Sequence, residues 1–207
     1  MHAIMRAMFA ATTLAVVGLA GLAHAQHSGD IELEVPIKPG PIVTLGGDYS
    51  GTYAGRVFEG NMPASAPLET DAPGFDSLNG TFPANAQIRF DFVKQLLYWN
   101  GTALTTPASD LTVSYGAKTA TIAGDDTAGL PGFVISSADA QGAFHKHMFF
   151  TLPETAAAGL YGAVLTLGPG PGATGFTTSD SFLVAFSNGS FADPAAGLDA
   201  MVEVAFA

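Results

Sequence analysis

The sequence predicts an all-β chain: a single antiparallel β-sandwich, Ig-like or jelly-roll-like, following a cleaved signal peptide. Three observations lead there. The 25 glycines and 13 prolines are spread through the 207 residues and cut the chain into short apolar runs, the punctuation of many strands. Two of those runs alternate cleanly, since in Ile88-Arg89-Phe90-Asp91-Phe92 and Leu111-Thr112-Val113-Ser114-Tyr115 the apolar side chains fall on one face of an extended backbone. Candidate helices, at Asp91 to Tyr98 or Pro194 to Met201, are too short to change the class.

Taken in order, residues 1–25 read as a secretory signal. Arg6 gives the positive start, Met8 to Leu22 the apolar stretch, and Ala23-His24-Ala25 a small-residue cleavage site. Residues 26–207 are then expected to form one β-sandwich domain of a size that buries a substantial core. Its strands are predicted at Ile31 to Val35, Ile42 to Leu45, Tyr53 to Phe58, Ile88 to Phe92, Leu96 to Trp99, Leu111 to Tyr115 and Thr119 to Ile122. Further strands are predicted at Phe133 to Ser136, Phe144 to Leu152, Leu160 to Leu167, Ser181 to Phe186 and Met201 to Phe206. Three Asn-Gly-Ser/Thr triplets, at Asn79, Asn100 and Asn188, match the glycosylation pattern but read first as turns, because both residues tolerate positive φ. Gly168 to Gly172 reads as a loop.

Composition narrows the function. The chain carries 18 acidic against 7 basic residues, and removing the signal takes away Arg6 and no acid. Nucleic acid and anionic membrane surfaces are poor partners for such a field, whereas cations are drawn to it. No second apolar stretch of membrane-spanning length follows the signal, so membrane insertion after cleavage is not expected. With no cysteine there is neither disulfide nor thiolate, so any metal must be held by nitrogen and oxygen. That leaves Zn(II), Cu(II) or Ni(II) as the fitting first-row ions.

After cleavage three histidines remain, His27, His145 and His147. The last two sit in Phe144-His145-Lys146-His147-Met148-Phe149-Phe150-Thr151-Leu152, whose bulky residues favour extended backbone. Period-two alternation puts His145, His147, Phe149 and Thr151 on one face. Same-face neighbours lie roughly 6.5 to 7 Å apart along the backbone, and their rings can lean together to set two nitrogens ~2.0 to 2.1 Å from one zinc ion. Two imidazoles do not complete a zinc site, and His27 is the remaining one. Asp30, three residues after His27, can orient an imidazole through its second N–H; Asp76 can orient or ligate. A cupin reading fails, since the next acid after the pair is Glu154 and no histidine follows. Asp125-Asp126 lacks the alternating donors of a calcium loop and reads as a turn. Trp99 reads as a buried aromatic before a turn.

The opening His27-Ser28-Gly29-Asp30, Arg56-Val57-Phe58-Glu59, Pro73-Gly74-Phe75-Asp76, Thr81-Phe82-Pro83, Leu97-Tyr98-Trp99-Asn100-Gly101 and Phe144-His145-Lys146-His147 occur in the same order in a family of exported bacterial proteins. From His27 to about Phe186 the chain resembles the PEP-CTERM-type proteins repressed by the zinc uptake regulator. The resemblance implies expression under zinc starvation and a role in holding zinc or passing it on outside the cytoplasm, with a metal-transport or acceptor protein as partner. It implies His27, His145 and His147 as ligands, with Glu59 first and Asp76 second as oxygen donors. The final segment, Met201 to Ala207, has no Pro-Glu-Pro motif, apolar helix or basic tail, so a free periplasmic or secreted protein is expected.

Binding is favoured over catalysis, because no base, electrophilic clamp or nucleophile constellation stands out as a motif. Two alternatives remain. If processing falls after Gln26, His27 becomes the N-terminus and can bind copper through amine and ring together. Otherwise the chain is a surface or adhesion β-sandwich module whose histidines are incidental.

Overall fold

The computed structural model describes residues 29–126 and 129–207; the signal segment 1–25 and His27 lie outside them. Fifteen strands and one helix are built among the described residues. A first four-stranded sheet runs β12 (Phe144–Lys146), β5 (Phe75–Ser77), β1 (Ile31–Glu34), β2 (Val43–Leu45). A second runs β10 (Lys118–Ile122), β9 (Leu111–Tyr115), β13 (Phe149–Leu152), β4 (Leu68–Thr70). The third and largest runs β11 (Pro131–Ser137), β6 (Gln87–Phe92), β14 (Gly159–Pro169), β15 (Phe182–Asn188), β3 (Val57–Asn61), with β7 (Leu97–Trp99) on β14 and β8 (Leu104–Thr105) on β7. The all-β, sandwich-like class predicted from the sequence is what forms. Its pairings are antiparallel except β1 with β5 and β3 with β15, which are parallel.

The core explains the layering. Phe90, Leu165, Phe182, Val184 and Phe186 of the large sheet share one buried cluster with Ile31, Leu33, Phe75 and Phe144 of the first small sheet. Leu111, Val113, Phe150 and Leu152 of the second small sheet join the same cluster. The intervening residues of the large sheet, among them Leu160, Val164, Leu183 and Ala185, meet Leu198, Met201, Val202 and Ala205 on the C-terminal helix α1 (Pro194–Ala205). Covered on both faces, β14 and β15 read as near-continuous apolar runs rather than alternating ones.

Helix α1 replaces the strand expected at Met201 to Phe206 and lengthens the helix foreseen at Pro194. Asp193 caps it, accepting a hydrogen bond from the Ala196 amide at 3.2 Å, and Pro194 sits at the first turn, where its missing N–H costs nothing. Leu198, Met201, Val202 and Ala205 then form an i, i+3, i+4, i+7 stripe against a large sheet that admits it closely: a β-carbon on Gly162 would lie 2.8 Å from Met201 Sδ. The alternation in Met-Val-Glu-Val-Ala-Phe imitates a strand only if that stripe is overlooked.

The predicted Phe144 to Leu152 strand divides into β12 and β13, because β12 pairs with β5 and β13 with β9 and β4. His147 and Met148 carry the chain from one small sheet to the other. Around the candidate ligands the register is informative. β12 lies at the sheet edge with His145 opposite Asp76 of β5, and β5 lies beside β1 with Phe75 opposite Ile31. Asp30, Asp76 and His145 are therefore brought together by three adjacent strands.

Candidate metal centre

Although the strand breaks after Lys146, the alternation holds: Phe144, Met148, Phe150 and Leu152 are buried, while His145 is exposed and His147 half-buried. The two rings lean toward each other, with centroids 5.1 Å apart, and their Nε2 atoms come to 3.2 Å. Each ring is held from its other nitrogen. Nδ1 of His147 lies 2.9 Å from the Asp71 carbonyl oxygen, and Nδ1 of His145 lies 3.3 Å from Asp76 Oδ1.

These backing contacts assign the tautomers. A carbonyl oxygen only accepts, so His147 Nδ1 must carry the hydrogen and donate it, which leaves a lone pair on Nε2. The Asp76 carboxylate does the same for His145. At this distance the two Nε2 atoms can share a proton or bind one cation between them. Asp30 adds a third donor of the same kind, its Oδ2 standing 3.5 Å from His147 Nε2. That oxygen is buried and has no hydrogen-bond partner among the described residues, while Oδ1 of the same carboxylate accepts from the Gly74 amide at 3.0 Å. A buried carboxylate oxygen left so costs free energy unless a cation compensates it. One ligand atom from each of Asp30, His145 and His147 lies within 4.8 Å of the other two.

The residues singled out in the sequence thus separate. His145 and His147 meet. Asp30, read first as an orienting acid, stands in the ligand group, and Asp76 takes the orienting position behind His145. His27 lies outside the described residues. Glu59 is exposed on β3, opposite Ala185 of the large sheet, and is not a member of the group formed by Asp30, His145 and His147. Asp126 accepts from the Ala123 amide at 2.7 Å, as a turn residue does. Trp99 packs in the cluster beneath α1 and its ring N–H points to the Ala192 carbonyl.

Within the segment 71–76, only Pro73 to Asp76 was quoted in the sequence, and for a resemblance alone, yet the segment backs all three members of the group: the Asp71 carbonyl holds His147, the Gly74 amide holds Asp30, and the Asp76 carboxylate holds His145. Compared with protein-family models and with curated proteins, the chain matches none.

Proposed function

We propose that this is an exported protein that holds a divalent metal ion, zinc foremost, at Asp30, His145 and His147, and passes it to a transport or acceptor protein. The observation that carries this reading is the convergence of two imidazole Nε2 lone pairs and a buried carboxylate oxygen, each oriented from behind by hydrogen bonding. Nitrogen and oxygen donors suit zinc, which imposes no redox demand, and backing of this kind fixes metal-bound imidazoles. His27 is the fourth ligand in this proposal. It lies three positions before Asp30 in the sequence. The resemblance to the PEP-CTERM-type proteins repressed by the zinc uptake regulator implies the same role.

Binding is preferred to catalysis because the Asp76 carboxylate beside the group is turned to His145 Nδ1, and Asp71 offers its carbonyl to His147 Nδ1. Copper is the second reading, and rests on the two histidine nitrogens together with an amino-terminal His27.

The test is titration of the processed protein with zinc and with Cu(II), read by calorimetry, alongside the metal content of protein taken from its native compartment. One equivalent of zinc, lost in the variant carrying both His145→Ala and His147→Ala, is expected. Stoichiometric zinc retained by that variant overturns the assignment. An N-terminus at His27 by mass spectrometry, with copper as the native metal, moves the reading to copper.

A further inference from the structure

We infer that the 71–76 segment is a template that sets metal selectivity, with Gly74 as its positioning residue. The inference rests on the metal-holding reading above and adds what decides between ions. Gly74 touches two ligands at once. Its amide fixes Asp30 Oδ1 at 3.0 Å, and its α-carbon faces the His147 ring so closely that a β-carbon would come within 2.6 to 2.8 Å of Cε1, Nδ1 and Nε2. The backbone of Gly74 does not lie in the left-handed region, so its conformation does not call for glycine. The missing β-carbon serves the contact. Two residues on, Asp76 lies opposite His145 in the β5–β12 register and fixes the other ring.

The spacings held by this template have a preferred geometry. Donors ~2.0 to 2.1 Å from a tetrahedral ion lie about 3.3 Å apart, whereas at the right angles of a square-planar ion they lie about 2.9 Å apart. The two Nε2 atoms stand at 3.2 Å and His147 Nε2 stands 3.5 Å from Asp30 Oδ2. Both lie nearer the tetrahedral value. By intrinsic affinity Cu(II) outcompetes zinc at nitrogen and oxygen sites, and imposed geometry is the protein's own means of opposing that order once the donor types are set. A template that holds His147 Nε2 this far from both of its neighbours disfavours adjacent positions of a tetragonal ion and narrows the copper advantage.

Gly74→Ala tests this directly, because the added methyl must push the His147 ring aside while leaving every donor side chain present. Zinc and Cu(II) affinities are measured by competition against a chelator for the wild type and for G74A, with the thermal midpoint of the metal-free variant as the check on folding. Zinc affinity is expected to fall ~10- to 100-fold, the range seen when a metal's supporting contacts are removed. Copper affinity should fall at least about tenfold less, so that the copper-to-zinc ratio rises. Equal losses for the two ions, or no loss for either, overturn the template. The Cu(II) spectrum of the wild type is the second measurement and needs no variant: a distorted, non-tetragonal signature is expected, and an ordinary tetragonal one overturns the inference even if G74A does not fold. Failure of the wild type to bind either ion refutes instead the metal-holding reading on which the template rests.

Discussion

At the scale of single residues, the neighbours of His145 and His147 decide their chemistry more than the rings do. Both Nδ1 atoms are committed to acceptors, so each ring offers Nε2 to the same point. Asp76→Asn keeps the shape but exchanges a carboxylate for an amide behind His145. It is expected to weaken zinc binding ~10- to 100-fold with little change in the metal-free melting temperature, measured by titration and by thermal unfolding. The histidine pair was legible in the sequence because scarcity and a period of two are both local properties. Asp30 was read there only as an orienting group, since more than a hundred residues of chain separate it from the pair and no linear pattern reports such a distance. Tyr161 marks a different kind of residue effect. Burial first, then the nearby Tyr98, pushes its hydroxyl up to about 12. Its folded pKa exceeds the ordinary tyrosine value, so its stabilising contribution is intact below pH ~10 and is lost as pH rises toward 12. Tyr161→Phe should flatten the stability profile in that alkaline window, as followed by denaturant melts.

Among the elements, the strands with strong alternation were recovered nearly in place: Ile88 to Phe92 became the body of β6 and Leu111 to Tyr115 became β9. Strands β4, β5 and β8 escaped notice because two or three residues show no period, and their pairing is fixed by neighbours remote in sequence. Of the three Asn-Gly turns, Asn100 behaves as expected, its Oδ1 accepting from the amides of Thr102 and Ala103 in the β7–β8 connection. Asn188 is instead the buried last residue of β15 and donates to the Ala156 and Ala157 carbonyls. Helix α1 is bound to the molecule by one stripe of side chains, of which Met201 is the most enclosed. Met201→Ala should therefore cost about 2–5 kcal/mol, measured by chemical denaturation, with zinc affinity unchanged because α1 packs on the face of the large sheet opposite the small sheets.

For the whole molecule, the acidic balance favoured cations as ligands, and the absence of cysteine left nitrogen and oxygen as the donors for any metal, before any geometry was known. How the small sheets join was not legible, since the exchange of partners at His147 and Met148 depends on strands β4, β5 and β9 rather than on the crossing residues. If the folded state alone binds zinc, a hundredfold excess over Kd stabilises it by about 2.7 kcal/mol. That gain should appear as a rise in melting temperature which chelator reverses and which the His145→Ala and His147→Ala changes together remove. A protein with incidental histidines would melt identically with and without metal. Because Asp30 opens β1 while His145 and His147 lie at and just past the far edge of the same sheet, an ion shared by them would act as a reversible rivet across β1, β5 and β12. Amide protons in those three strands would then exchange with solvent more slowly in the loaded protein, while those of β9 and β10 kept their pace.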